Sequence, residues 1–192
     1  MSAPDVRDQK RELRKRLREA RRALGGAQAS ELSRAACGRL AALADAKSAR
    51  TIAVYAAHGG EIDPAEFAAA CASRGVVVCY PLVHEKASLT FHAAPPDTLV
   101  PGMIGIAEPP AGAPTVAPDA IDLFVVPGVA FDEAGRRLGQ GVAYYDRTLP
   151  ASRGRKVGFA YELQIVPEVP SEPHDVRMDF VVTDRRVIVP RP

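Results

Sequence analysis

The run Ile121-Asp122-Leu123-Phe124-Val125-Val126-Pro127-Gly128 carries five apolar side chains in its first six positions, Asp122 being the exception, with no polar–apolar alternation. A strand half-covered by solvent alternates with a period of two, so a continuous β-branched and aromatic run implies a strand covered on both faces, the middle of a parallel sheet. Working outward, Thr51-Ile52-Ala53-Val54-Tyr55 and Val157 to Tyr161 have the same character. Val76 to Tyr80, closed by Pro81, and Ser88 to His92 are further strands. Phe180 to Thr183 is another, pairing with Val187 to Val189 across a short turn.

Helices fall between these strands. Leu13, Leu17, Ala20 and Leu24 recur at spacings of four, three and four, which puts them on one face of a helix from Val6 to Leu24. Gly25-Gly26 ends it, and Leu32, Ala36, Leu40 and Leu43 define a second helix to about Ala46. Asp63-Pro64-Ala65-Glu66 is a helix start, with Asp63 as N-cap and Pro64 at the first helical position, and the helix ends near Arg74-Gly75. Residues 93–120, rich in Pro, Ala and Gly, read as a long surface connection without regular elements. The expectation is an α/β three-layer sandwich with a mainly parallel central sheet and an N-terminal helical pair, built as one domain over residues 1–192.

Composition narrows the function. Hydrophobic residues make up 47% and charged residues 25%, with a net charge of +2, which excludes a disordered chain and gives no general pull toward nucleic acid. The basic helix at the N-terminus has no interleaved aromatic residue, so RNA binding is the weaker reading of it. No apolar run approaches the length of a membrane span and no secretory h-region precedes the first helix. Three cysteines, Cys37, Cys71 and Cys79, without Cys-x-x-Cys spacing, are expected as reduced buried thiols of a cytoplasmic protein. The four histidines lack metal-ligand spacing, so no zinc site is expected.

Beyond the central strand lies Gly135-Arg136-Arg137-Leu138-Gly139-Gln140-Gly141-Val142-Ala143-Tyr144-Tyr145-Asp146. Ligands of α/β folds collect beyond the carboxyl ends of the strands, and glycines let backbone N–H groups converge on phosphate. Neither Gly-x4-Gly-Lys-Ser/Thr nor a dinucleotide fingerprint is present, because Tyr144 occupies the place of the third glycine. From composition alone the segment reads equally as a solvated turn. Likewise Lys10 and Arg14, one helical turn apart, can reach one phosphate chain or form a solvated face.

The segment from Val126-Pro127-Gly128 through Phe131-Asp132 and Gly135 to Arg147 resembles the signature of the 5-formyltetrahydrofolate cyclo-ligases, also called methenyltetrahydrofolate synthetases. Lys10-Arg11-Glu12-Leu13-Arg14, Tyr55 through Glu61-Ile62-Asp63, Gly105-Ile106-Ala107-Glu108-Pro109 and Pro173-His174-Asp175 with Met178-Asp179 resemble further pieces in the same order. The resemblance spans Lys10 to Asp184. It implies ATP-dependent closure of 5-formyltetrahydrofolate to 5,10-methenyltetrahydrofolate, with Mg2+ as cofactor and ATP as co-substrate, in a cytoplasmic monomer without nucleic-acid or membrane partners. It implies ATP contacts from Lys10, Arg11 and Arg14, and from Arg137, Leu138, Gly139, Gln140, Gly141, Val142, Ala143, Tyr144 and Tyr145. Folate contacts are implied for Ala56, Glu61, Gln140, Gly141, Val142, Ala143 and Tyr144, catalytic roles for Glu61, Arg137 and Tyr144, and Mg2+ ligation for Asp146 and Asp175. Asp132 and Asp179 are lower-ranked metal candidates.

In one place the chain departs from the pattern. The family has Gly-x-Gly-x-Gly-Tyr-Tyr-Asp, and the last glycine is here Ala143, preceded by Val142. If that position needs a positive φ, the added Cβ costs about 1 kcal/mol. The alternative this favours is a paralogue that binds folate or nucleotide with little turnover.

Overall fold

The computed structural model describes residues 5–84, 88–102, 105–141, 143–172 and 175–190. Helices α1 (Val6–Arg22) and α2 (Gly26–Ala42) form the N-terminal pair. The Asp5 carboxylate accepts a hydrogen bond from the Arg7 N–H at 3.2 Å and so caps α1, while Arg21 and Arg22 in the last turn complement the helix dipole. Leu13 and Leu17 dock into a small cluster with Val129, Ala130, Leu138, Val166 and Val169. The apolar stripe of α1 therefore packs against the glycine-rich segment itself, which places the arginines of the neighbouring face over it.

The second helix stops earlier than its periodicity predicts. Leu43 is extended, with ψ of 140°, and a separate short helix α3 (Ala44–Ser48) follows. The bend lets Leu43, Ala46 and Ala49 all pack on the main core. The fourth helix, α4 (Ala65–Ala72), begins one residue later than expected. Asp63 still accepts from the Ala65 N–H at 2.9 Å, so its capping role survives the shift.

Twelve strands follow in chain order: β1 (Thr51–Ala53), β2 (Val77–His84), β3 (Ser88–Ala93), β4 (Val100–Pro101), β5 (Ala107–Glu108), β6 (Thr115–Val116), β7 (Leu123–Pro127), β8 (Ala130–Phe131), β9 (Arg137–Leu138), β10 (Arg155–Phe159), β11 (Phe180–Val182) and β12 (Val187–Ile188). Eight of them make one sheet in the order β12-β11-β10-β7-β1-β2-β3-β6. The inner pairings from β11 to β2 are parallel, and the pairings of β12, β3 and β6 at the margins are antiparallel. The sheet is thus mixed and mainly parallel in its interior. Its central strand is β7, whose Leu123, Phe124, Val125 and Val126 are no more than 1% exposed. Leu123 and Val125 belong to the core under α2 and α4, whereas Phe124 and Val126 belong to a second core with Phe91, Phe131 and Leu149. Alternate side chains of one strand feed two cores, as a doubly covered strand must.

Two sequence expectations are corrected. Pro81 does not close β2, which runs on to His84. The Val54 N–H donates to the Cys79 carbonyl, so Cys79 and Pro81, two residues on, both face β1; the latter lies past the end of that strand, and its missing N–H interrupts no ladder there. Residues 93–120 also hold regular pieces: β4 and β5 pair as a hairpin, and β6 extends the main sheet through Phe91↔Val116 and His92↔Thr115. Two-residue strands show no periodicity for a sequence to reveal.

All three cysteines are free and buried. Burial pushes the Cys37 thiol to about 11 and the Cys79 thiol to about 12. A proton held more tightly in the folded than in the unfolded chain stabilises the fold fully below the unfolded thiol pKa and less as pH rises through the folded values. Melting temperature is therefore expected to fall between about pH 9 and pH 12, and native thiols to react with a disulfide reagent at pH 8 only on unfolding.

Candidate active site

A cavity of about 270 Å³ opens beyond the carboxyl ends of β1, β2 and β7. Pro81 and Val83 of β2, Leu89 of β3, and Ile106 and Ala107 make its apolar wall. Tyr55, Ala56 and Glu61 enter from the segment after β1, and Arg137, Gly139, Gln140, Ala143, Tyr144, Tyr145 and Asp146 from the glycine-rich segment and the short helix α5 (Tyr144–Thr148).

The glycine-rich segment is held from both sides. Beneath it, Asp132 is completely buried and accepts from the Ala134, Arg136 and Val169 N–H groups at 2.8–3.0 Å and from Arg136 Nε at 2.7 Å. This pattern makes Asp132 a turn-former and removes it as a metal candidate. Asp179 likewise accepts from the Lys156 N–H at 2.7 Å and pairs with Arg155, a structural role at the far end of the strands. Above the segment, Arg14 Nε donates to the Gly139 carbonyl at 2.9 Å. Arg18 donates to the side-chain oxygen of Gln140 from Nη2 at 2.6 Å and from Nε at 3.1 Å. Gln140 in turn donates to Glu61 Oε1 at 3.0 Å, whose other oxygen accepts from the His58 N–H. A continuous chain, Arg18–Gln140–Glu61, thus bridges the glycine-rich segment and the turn after β1.

Arg137 is the buried cation of the cavity. Nη2 donates to Asp146 Oδ1 at 2.7 Å, Nη1 donates to the Pro127 carbonyl at 3.3 Å, and the guanidinium lies 5.7 Å from the Tyr145 ring centroid. Its Nε is buried without a hydrogen-bond partner. Burial, together with the nearby Glu61, holds the Tyr145 hydroxyl protonated well above its usual range, with Arg137 opposing. Tyr55 is raised for the same first reason and donates to the Ile62 carbonyl at 2.6 Å.

The structure gathers most, though not all, of the residues the sequence singled out. Ala56, Glu61, Arg137, Gly139, Gln140, Ala143, Tyr144, Tyr145 and Asp146 share the cavity. Gly141 lies beside Arg14, whose Cζ is 3.8 Å from where a Cβ would be. Leu138 points the other way, into the cluster under α1, so only its backbone faces the segment's ligand side. Arg11 is exposed, pairs with Asp8 and lies outside the cavity. Lys10 is buried beside Glu172 at 2.8 Å and Asp175 at 3.3 Å, in a region distinct from the cavity lining. Desolvation lowers its pKa, but the two carboxylate hydrogen bonds outweigh it and the net direction is upward. Val142, Pro173 and His174 lie outside the described residues.

Arg18 and Arg21 were missed. They continue the spacing of Lys10 and Arg14 along α1, and that recurrence of basic residues was the available signal. Arg21 is 4% exposed and donates to the Gly59 carbonyl at 3.1 Å, with burial lowering its pKa.

No group of three or more His, Cys, Asp or Glu is placed to hold a metal ion among the described residues. The donor chemistry nevertheless suits Mg2+, which needs only one or two carboxylates when phosphate oxygens and water complete its shell. Asp146, in the cavity beside the Arg137 guanidinium, could supply one such carboxylate.

Ala143 caps α5 with φ 59° and ψ 27° and is the one non-glycine residue with positive φ among the described residues. The condition raised by the sequence departure is met: this position requires the left-handed region, where a Cβ costs about 1–2 kcal/mol. Ala143→Gly is expected to raise stability by up to about 1 kcal/mol in chemical denaturation and to lower KM for ATP or raise kcat.

A glycine-rich turn clad in arginine, sharing a wall with an apolar cavity beyond the strand ends, defines an α/β enzyme that brings a phosphorylated ligand against a flat organic one. The family model of the 5-formyltetrahydrofolate cyclo-ligases matches residues 6–184. The 5-formyltetrahydrofolate cyclo-ligase of Escherichia coli (strain K12) is 33% identical over 180 residues, covering 89% of this chain and 98% of the relative. The NMR structure of Aquifex aeolicus 5,10-methenyltetrahydrofolate synthetase superposes with a TM-score of 0.84 at 33% identity, covering 95% of this chain and 93% of that one. The 5,10-methenyltetrahydrofolate synthetase from Mycoplasma pneumoniae gives 0.74 at 27% identity, covering 91% and 98%. The chain belongs to the 5-formyltetrahydrofolate cyclo-ligase family.

Proposed function

We propose that this chain converts 5-formyltetrahydrofolate and ATP to 5,10-methenyltetrahydrofolate, ADP and phosphate. The observation that carries the reading is the hydrogen bond from Gln140 of the glycine-rich segment to Glu61 on the cavity wall, which ties the nucleotide side of the site to the folate side. The formyl oxygen of a stable amide is a poor leaving group. Transfer of the γ-phosphoryl group to that oxygen makes it one: ADP departs, N10 attacks the iminium carbon, the N10 proton is lost, and the oxygen leaves in phosphate.

Catalysis of the first step is chiefly positioning and charge neutralisation. Arg137 supplies buried positive charge beside the transferring group. Arg14 holds the glycine-rich segment from above through the Gly139 carbonyl, with Gly139, Gln140, Gly141 and Ala143 contacting phosphates through backbone, and Lys10 adding charge. Mg2+ would be held by Asp146, with Asp175 as the second candidate carboxylate, and would supply neutralisation of phosphate charge when bound. Tyr144 and Ala56 contact the pterin, and Glu61, aligned by Gln140 and the His58 N–H, orients the N5-formyl group. The three-sided apolar wall excludes water that would hydrolyse the phosphorylated intermediate.

No helix among the described residues is long and apolar enough to cross a membrane. The free cysteines accord with a cytoplasmic enzyme.

Absorbance of the methenyl product tests the reading: purified chain with 5-formyltetrahydrofolate, Mg2+ and ATP is expected to form it with one phosphate released per product. Tight folate binding without product supports the second reading, a sequestering paralogue, which the strained Ala143 favours.

A further inference from the structure

Three carboxylates line the cavity. Glu61 is engaged by Gln140 and by the His58 N–H, and Asp146 by Arg137. The third, Glu108 on β5, is half-buried beside Pro81, Val83 and Leu89 and has no hydrogen-bond or ion-pair partner among the described residues. A carboxylate that lines a cavity with no partner of its own can accept donors from a ligand bound there.

The backbone fixes where this side chain lies. Val100 of β4 and Glu108 of β5 pair across the hairpin, and the Gly102 N–H donates to the Ile106 carbonyl at 2.9 Å. The Glu108 side chain folds across Gly102 so closely that a Cβ there would come within 2.6 Å of its Cγ. Gly102 has an ordinary φ, so its glycine serves this close approach and not a left-handed turn. Room has been made for one particular placement of the carboxylate, in the cavity that the ion-paired Arg137 and Asp146 also line.

Resting on the folate reading above, we infer that Glu108 recognises the amino-pyrimidinone edge of the pterin. That edge presents two parallel donors, the ring N3–H and the 2-amino group. A carboxylate accepts such a pair with both oxygens, as it accepts the parallel N–H groups of a guanidinium. Nothing else assigned to the site meets those donors: Glu61 already serves the formyl end through Gln140, and the apolar wall has no acceptor side chain. Glu108 is on this view the residue that selects a 2-amino-4-oxo ring over other flat rings of similar size, since a site built to pair with donors rejects analogues lacking them.

The test is equilibrium binding without ATP turnover. Unmodified chain, Glu108→Gln and Gly102→Ala are titrated with 5-formyltetrahydrofolate and with its analogue in which hydrogen replaces the 2-amino group; ATP is titrated separately, and near-ultraviolet circular dichroism checks the fold of each variant. Glu108→Gln, nearly isosteric, is expected to weaken folate binding about 10- to 100-fold while leaving ATP affinity unchanged and binding the analogue about as well as the unmodified chain does. Gly102→Ala is expected to weaken folate in the same direction by displacing the carboxylate. Unchanged folate affinity in Glu108→Gln, an equal loss for the analogue, or a loss for ATP in place of folate overturns the inference while the proposed function stands. Failure of the unmodified chain to bind folate at all overturns both.

Discussion

Asp132→Ala is expected to lose about 3–5 kcal/mol of stability, enough to unfold only a marginally stable domain at 25 °C. The carboxylate is 0% exposed and collects three backbone N–H groups, from Ala134, Arg136 and Val169, together with the Arg136 guanidinium. Removing it strands those N–H donors in the interior and leaves the partly exposed Arg136 guanidinium with Glu168 as its remaining counter-charge. Breaking a buried charge pair from one side costs about 3–5 kcal/mol, against a total stability of about 5–15 kcal/mol for a domain. The loss falls on the turn that leads into the glycine-rich segment, so any folded remainder is expected to be inactive as well. Urea denaturation followed by circular dichroism measures it. A midpoint within experimental error of the unmodified chain would show that the Asp132 bonds contribute nothing net. Asp132→Asn keeps the shape and is expected to fall between the two.

Arg137→Lys carries the largest expected effect on chemistry. Under the proposed function its guanidinium does two things at once: it pairs with Asp146 at 2.7 Å and supplies buried positive charge to the cavity wall. A lysine keeps the charge but cannot hold Asp146, reach the Pro127 carbonyl and stack on Tyr145 together. Loss of one preorganised charge aimed at the transferring phosphoryl group lowers kcat by about 100- to 1000-fold, and because the interaction strengthens in the transition state, KM for folate should change little. A variant with unchanged kcat and raised KM for ATP would instead assign Arg137 to ground-state nucleotide binding.

How much of this was legible beforehand depended on the length of the signal. The unbroken apolar run of β7 announced a doubly covered strand, and its alternate residues do enter two different cores. The Leu13/Leu17 stripe announced a helix, although not that its partner surface would be the glycine-rich segment. Pro81 misled because a proline is forbidden in a ladder only where its N–H would have had a partner, and β1 has ended there. The strands of residues 93–120 are two residues long, shorter than any period, so composition rightly suggested a loop and wrongly excluded pairing.

In the site, motif residues were legible and their orientations were not. Arg137 and Leu138 are neighbours in β9, yet Leu138 turns into the cluster under α1 while Arg137 lines the cavity, because β9 pairs with β8 and alternates its faces. Arg18 and Arg21 escaped notice because a basic helix looks uniformly solvated until its docking face is known. The apolar wall escaped because Pro81, Val83, Leu89 and Ile106 come from separate elements. Ala143 was legible as a departure, and the backbone supplies the reason it matters: φ of 59° at a position where the Cβ is a liability.

The most direct measurement of the proposed chemistry follows the formyl oxygen. With 5-formyltetrahydrofolate carrying 18O in the formyl group, turnover in unlabelled water with Mg2+ and ATP is expected to place one 18O atom in each phosphate released, read by mass spectrometry. Product formed with unlabelled phosphate, the label having passed to water, would contradict phosphorylation of the formyl oxygen.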